Sequence, residues 1–393
     1  MLHVLFWLSV FLIFHSYVLY PILLKWWAKN RAFHDECFGQ TDSLPKVSVL
    51  LAAYNEAAII EEKLRSIFSG GYPLDRLEVL VGDDASKDDT AAIIRRLQQE
   101  YPQLHLVGMA GRTGKPQIIN QLVPLAKGEI LLLTDANIIF SHDTIYTLVK
   151  HFKDPKVGFT AANILSRSVQ DQGISVQEDA YVAREIRMKH AQSKIWGIVI
   201  APFGACYALR TELYEQVPKR FNVDDFFISM KILGKGYEGH QSLEAVCYED
   251  ISNKVSEEFR RKTRISKGNF QNLMAFWQLL WPPYKGLGFS FLSHKVIRWL
   301  GPFIILMSFV SAVLLALHSP FYQAIFGLQL LSLLIAWLDP LLERKGVHIR
   351  LFRFISYFYS MNLALLMGFW EFLKGVDSNI WEPTERSATQ SKG

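Results

Sequence analysis

The sequence predicts an α/β protein: an open-sheet domain on the cytoplasmic side of a membrane, flanked by transmembrane helices. Three observations carry that expectation. From Val47 onward, short apolar runs alternate with segments of helical periodicity. The 393 residues are 50% hydrophobic with a mean hydropathy of +0.13, and the longest apolar stretches sit towards the two ends. Acidic and amide side chains also recur just after the predicted strands, where ligands of open α/β sheets bind.

The first element, His3 to Trp26, is almost wholly apolar and long enough to cross a hydrocarbon core of ~30 Å. It lacks a basic leader and a small-residue cleavage site, so a removable signal peptide is the weaker reading. Lys25, Lys29 and Arg31 follow it and place the next segment in the cytoplasm. Further spans are expected at Val296–Leu317, Phe321–Leu338 and Phe352–Phe372, the last two joined by a basic loop. Phe270–Trp281 is too short and too polar to span and reads as an amphipathic helix lying in the interface. Arg298 and Asp339 sit near span ends, from which they are expected to snorkel to water. The resulting division is a helix over 1–28, a linker over 29–46, the sheet domain over 47–268, an interfacial segment over 269–292, membrane helices over 293–375 and a tail over 376–393. If all four apolar segments span, the tail lies outside. A cytoplasmic tail requires one segment to lie in the interface or to re-enter, and the final one is the best candidate.

Within the sheet domain, Val47–Ala53 is a compact apolar run bounded by Pro45 and Asn55, as expected of a strand buried on both faces. Ile60, Leu64, Ile67 and Phe68 then recur at helical spacing. Leu77–Val81 is a second strand and Thr90–Gln99 a second helix, and Leu104–Val107 and Ile130–Leu133 continue the alternation. Beyond the first, second and fourth strands come Ala53-Tyr-Asn-Glu56, Asp83–Thr90 and Thr134-Asp-Ala-Asn137. Each alone could be a helix cap or a turn. Together they deliver carboxylates to one crevice, where a cationic partner is expected. Mg²⁺ or Mn²⁺ carrying a diphosphate suits such hard oxygen ligands.

Several classes are excluded. The apolar content rules out disorder, and a net charge of +5 is too small over this length to suggest a nucleic-acid binder. No G-x-G-x-x-G follows the first strand, so a dinucleotide site is not expected. Gly111–Pro116 has a P-loop look but lacks the upstream Gly, and Pro116 stands where Ser or Thr would hold magnesium. Lys115 remains well placed as a phosphate-side cation. Cys37, Cys206 and Cys247 share no metal-type spacing, and their odd number favours a reducing compartment.

The order Val47–Glu56, Asp83–Thr90, Gly114-Lys115 and Thr134–Asn137 resembles the GT-A (Rossmann-like, nucleotide-diphospho-sugar transferase) domain of family 2 glycosyltransferases. With the apolar flanks it resembles the membrane-bound branch that includes cellulose, hyaluronan and poly-N-acetylglucosamine synthases. The likeness continues through Gly204–Arg210, Val223–Phe226, Glu258–Arg264, Ser293–Trp299 and Trp381–Arg386. It implies that Ala53, Tyr54, Glu56 and Asp84 lie against the nucleotide, with Asp84 accepting from the uracil imide, and that Lys115 helps hold it. It implies that Asp135 and Asn137 occupy the D-x-D positions and hold Mg²⁺ or Mn²⁺. Asp225 would be the general base, with Asp224 the fallback, and in-line attack would invert the anomeric carbon. Arg261 and Arg264 would meet the diphosphate and the donor end of the acceptor channel, and Gly204 and Ala205 would lie near the acceptor. Local alternatives stand beside these roles: Asp224-Asp225 could cap a helix, and Arg260–Lys267 could face anionic headgroups.

Three departures from the polymer synthases bear on function. Their Q-x-x-R-W element is Arg261-Lys-Thr-Arg264-Ile265 here, without the Gln or the Trp. The second D-x-D position is Asn137, and Thr-Glu-Asp is replaced by Val223-Asp-Asp225. The implied activity is inverting transfer of a sugar from a nucleotide-sugar donor, a UDP-sugar in the first instance, to a polysaccharide or glycolipid acceptor at the membrane, with membrane lipid and accessory export subunits as partners. The alternatives are a single transfer to a polyprenyl-phosphate or other lipid-linked acceptor, and a non-catalytic nucleotide-sensing subunit.

Overall fold

The computed structural model describes residues 1–33, 35–39, 41–167, 175–250 and 255–375. Two compact units emerge: Lys25–Asn253 holds the sheet, and Met1–Leu24 with Lys254–Gly375 forms a helical unit.

The sheet has eight strands: β1 Val47–Ala53, β2 Leu77–Asp83, β3 Leu104–Gly108, β4 Ile130–Asp135, β5 Ile139–Phe140, β6 Val157–Ser166, β7 Cys206–Arg210 and β8 Glu238–Glu249. Their spatial order is β3-β2-β1-β4-β7-β6-β8-β5. The first four run parallel to one another, as the alternating pattern predicts. All seven residues of β1 are buried, which is why it reads as an unbroken apolar run. The second half is mixed, because β7 runs antiparallel to both β4 and β6, and β8 runs parallel to β6 but antiparallel to β5. Periodicity does not reveal β8, since His240, Gln241 and Ser242 are buried in it. Gln241 is accommodated there by donating to the carbonyls of Ala161 and Ala162 at 3.2 and 2.8 Å.

Register fixes the site. Ala53 lies opposite Asp83 and Ala52 opposite Asp135, so β1, β2 and β4 end at one edge. The strand order reverses at β1, the arrangement that opens a crevice in doubly wound sheets.

In the helical unit, two helices among the described residues are long and apolar enough to cross a membrane: Leu2–Ala28, whose last four residues belong to the sheet unit, and Pro320–Arg344. A third span is reached if Gly286–Trp299 and Gly301–Ala316 count together, but these meet at a 65° bend. The expected Val296–Leu317 span is therefore broken. At the break, a Cβ on Gly301 would lie 2.7 Å from Asn362 Oδ1. The Arg350–Lys374 helix, which contains the expected Phe352–Phe372 span, is too polar to be counted with them. Residues 268 and 269 do not mark a boundary, because one helix runs continuously from Val255 to Phe276. Arg298 and Asp339 do not reach for water as expected. Arg298 donates to the hydroxyl and carbonyl of Ser16, and Asp339 is buried against Arg353 at 3.0 Å. For Asp339 an opposite charge at close range removes the reason to snorkel. The Trp381–Arg386 resemblance lies outside the described residues.

Candidate active site

The loops after β1 and β2 are knitted together. The Asp84 amide donates to the Ala53 carbonyl at 2.8 Å, Asn55 takes a φ of 55° and accepts from the Lys87 amide at 2.8 Å, and the Glu56 amide donates to Thr90 Oγ1 at 2.8 Å. Glu56 is buried, and its carbonyl accepts the first amides of the Ile60–Phe68 helix.

Asp84 is wholly buried. Its carboxylate accepts from Arg112 Nε at 3.0 Å, from the Thr113 amide at 2.5 Å and from the Gly114 amide at 3.2 Å. The Arg112 guanidinium in turn lies 3.4 Å above the Tyr54 ring. Asp84 thus organises the 112–114 loop, and Tyr54 with Arg112 forms a stacked wall. Gly114 has φ of 85°, a conformation that a side chain would strain, and it directly precedes the Lys115–Leu122 helix.

Lys115 Nζ donates to Asp135 Oδ1 at 2.5 Å and to the Gly204 carbonyl at 3.0 Å. Burial works against this ammonium, but Asp135, Asp224 and Asp225 around it hold its pKa well above the usual lysine value. Asp135, at the end of β4, keeps its side chain 37% exposed, and its amide donates to the Ala205 carbonyl at 3.1 Å. The Asn137 amide nitrogen lies 3.4 Å from Glu249 Oε1 at the end of β8, leaving the Asn137 oxygen as a donor atom.

Asp224 and Asp225 open the Asp224–Gly234 helix, as the cap alternative expects, and Asp225 Oδ1 accepts the Phe226 amide at 2.7 Å. Capping does not exhaust the pair. A Cβ on Gly204 would stand 2.9 Å from Asp225 Oδ2, so the absent side chain lets the turn before β7 come up against the carboxylate. Burial first, and then the neighbouring Asp224 charge, push the Asp225 pKa up to about 6, against the opposing pull of Lys115 and Lys189.

The crevice thus joins Asp135, Lys115, Gly204 and Asp225 in one contiguous line, with Ala205 fixing Asp135 from behind. Arg261 and Arg264 belong to the Val255–Phe276 helix of the helical unit, where Arg261 is paired with Glu258 at 2.8 Å. Sequence reasoning missed Arg112 and Glu249. Arg112 sat inside the Gly111–Pro116 run and could have been weighed with it. Glu249 is reached only through the β6–β8 pairing, for which the sequence carries no local signal.

Residues 48–217 match the family model for glycosyl transferase family 2. That stretch is similar to family 2 glycosyl transferases. Over 160 residues it is 35% identical to the beta-monoglucosyldiacylglycerol synthase of Trichormus variabilis, a match covering 40% of this chain and 34% of that protein. Over 237 residues it is 24% identical to the poly-beta-1,6-N-acetyl-D-glucosamine synthase of Staphylococcus aureus, covering 59% of this chain and 57% of that one. The chain therefore spans about a third to somewhat over half the length of these curated relatives. Among solved structures, it superposes on the mannosyltransferase PcManGT from Pyrobaculum calidifontis, determined with GDP-Man and Mn²⁺. That match has a TM-score of 0.71 at 24% identity and covers 95% of this chain and 99% of the other. The fold is GT-A.

Proposed function

We propose that this chain is a glycosyltransferase that moves one sugar from a nucleoside-diphosphate sugar, a UDP-sugar in the first instance, to a glycolipid or lipid-linked acceptor at the cytoplasmic face of a membrane, inverting the anomeric carbon. The observation that carries this reading is the Asp225 carboxylate held beside Gly204, one contact from Lys115 and two from Asp135. A carboxylate with its pKa near 6 is ionised at neutral pH yet basic enough to accept the proton of an acceptor hydroxyl. Tyr54 and Arg112 offer a flat surface for the nucleotide base, and Lys115 offers a cation to the phosphate side.

The donor set fits a divalent ion. Asp135 and Asn137 present hard oxygens, and around Lys115 the carboxylates of Asp135, Asp224 and Asp225 exceed the positive charge. Mg²⁺ or Mn²⁺ held there would neutralise the departing diphosphate. Lipid acceptors are supported by the diacylglycerol-linked name of the 35% identical relative and by the apolar helices. Polymer formation is the second reading, supported by the Staphylococcus aureus relative and weakened by the missing Gln and Trp around Arg264.

The test is a screen of nucleotide sugars against the detergent-purified full chain, with Mn²⁺ and diacylglycerol or glycolipid micelles, reading nucleoside diphosphate release and product mass. One added sugar is expected. A ladder of masses would replace single transfer by polymerisation, and no release from any donor would sink the proposal.

A further inference from the structure

Lys63, on the Ile60–Phe68 helix, is wholly buried and has no part in the chemistry proposed for the crevice. Its ammonium donates to Thr134 Oγ1 at 3.0 Å and lies 3.5 Å above the Phe140 ring. Among the described residues, Thr134 Oγ1 is its one hydrogen-bond acceptor, and no carboxylate is in ion-pair contact with it. Burial pulls the Lys63 pKa down to about 8, against Cys206, Cys247 and Asp135, so the ammonium is mostly charged at neutral pH. Lysines are almost never fully buried unless paired, and a leucine or methionine would fill this space at far lower cost.

The residues that the ammonium touches account for its place. Asp135 and Asn137 lie on the short segment between Thr134 and Phe140, and Lys63 holds both ends of that segment. One turn along the same helix, Ser66 Oγ accepts the Phe140 amide at 3.2 Å and donates back to the Lys63 carbonyl at 2.7 Å. Thr134 Oγ1 accepts from Lys63 and donates to the Ala205 carbonyl at 2.9 Å, the same carbonyl that accepts the Asp135 amide at 3.1 Å. Lys115 meets the Asp135 carboxylate directly, whereas Lys63 grips the residues on either side of the Asp135–Asn137 turn.

We propose that Lys63 is a positioning residue: its buried ammonium fixes the two ends of the 134–140 segment and so sets the spacing of the Asp135 and Asn137 oxygens for a divalent ion. The inference rests on the reading that these two residues hold Mg²⁺ or Mn²⁺. Groups that orient metal ligands without touching the metal change its affinity by about 10–100-fold when they are removed. The charge of Lys63 acts the other way, because a cation behind the site repels an incoming dication. An uncharged side chain of similar length therefore separates the two effects. Loss of the clamp weakens metal binding, whereas loss of the charge alone strengthens it.

Mn²⁺ titration of the detergent-purified full chain, alone and with UDP, tests this without any sugar transfer. The paramagnetic resonance signal of free Mn²⁺ reads the binding, and Asp135→Ala marks uptake elsewhere on the chain. Lys63→Met is expected to bind Mn²⁺ about 10–100-fold more weakly than the wild type. Ser66→Ala leaves the ammonium in place and releases only the Phe140 amide, so a smaller loss in the same direction is expected. Thermal melting reports the fold of each variant separately. Mn²⁺ affinity in Lys63→Met equal to or tighter than that of the wild type overturns the role. Where Lys63→Met does not fold, wild-type affinity in Ser66→Ala overturns it instead. A wild-type chain that takes up no more Mn²⁺ than Asp135→Ala in either condition overturns the metal reading itself, and this role with it.

Discussion

In the crevice, the Lys115 ammonium stands among the carboxylates of Asp135, Asp224 and Asp225, whereas the linker before β1 brings a single carboxylate, Asp35, into a cluster with the imidazoles of His151 and His240 and the thiol of Cys37. The crevice is left with excess negative charge and an exposed edge at Asp135. Asp35 is closed in, and although burial alone would raise its pKa, His151 and His240 hold it well below the usual carboxylate range. The contrast separates two uses of a buried acid. The Asp225 carboxylate is held at an energetic disadvantage that an incoming cation or a transferred proton relieves, while Asp35 is already stabilised by its neighbours. Removing charge should therefore cost activity at the first place and stability at the second.

The strongest way to break this comparison is Asp225→Asn. The variant keeps the size of the side chain and its place beside Gly204 but has no base. Turnover is expected to fall by about 10²–10⁴-fold with nucleotide binding largely retained. Sugar-transfer rates alongside equilibrium nucleotide titration measure both quantities. Near-normal turnover would move the base to Asp224.

Removing the cation comes next. Excess chelator is expected to lower transfer by at least ~10²-fold, the scale of the several kcal/mol a bound divalent ion supplies. Asp135→Ala should show the same loss without recovery on adding Mn²⁺. Full activity in chelator would mean that Lys115 suffices for the leaving diphosphate.

Asp35→Asn sharpens the other side. Leaving the two imidazoles without their carboxylate should destabilise the sheet unit by about 3 kcal/mol, since breaking a buried charge pair typically costs ~3–5 kcal/mol. Thermal melting in detergent measures it, with transfer activity at permissive temperature expected to stay near normal. A variant that melts like the wild type would show that the cluster carries no net stabilisation.

The same division between chemistry and packing decides what could be read from the sequence. β1 to β4 and the crevice carboxylates were legible because a parallel strand buried on both faces is a continuous apolar run, and its functional groups follow directly at its end. The Asp224–Asp225 pair was legible as a motif, but its contact with Gly204 rests on tertiary packing. β8 was hidden by its buried polar residues, so Glu249 and His240 had no local signature. The linker cluster was hidden more deeply, since Cys37 shares no metal-type spacing with the other cysteines and, with Asp35, meets His151 only through the fold. In the helical unit, hydropathy found the apolar segments but not the bend before Gly301 or the Asp339–Arg353 pair, which depend on neighbouring helices.

The smallest expected effect is the pH dependence that Asp225 imposes on stability. Its pKa in the folded chain is about 6, raised first by burial and then by Asp224, against an ordinary value of 3.8. Between those values the folded chain binds a proton that the unfolded chain has released. Stability from this group is therefore fully present below pH ~4, falls as pH rises towards 6, and is level above that. Asp225→Asn lacks the titration. Its melting temperature relative to the wild type should rise between pH 4.5 and pH 7, even though its activity is lost. Activity must run the opposite way, because the base works only when deprotonated, so wild-type turnover should climb with pH and level off above about 6. A melting difference that stays constant across this range would mean that the Asp225 carboxylate is not held at a disadvantage by the fold, and the crevice would then resemble the linker cluster rather than contrast with it.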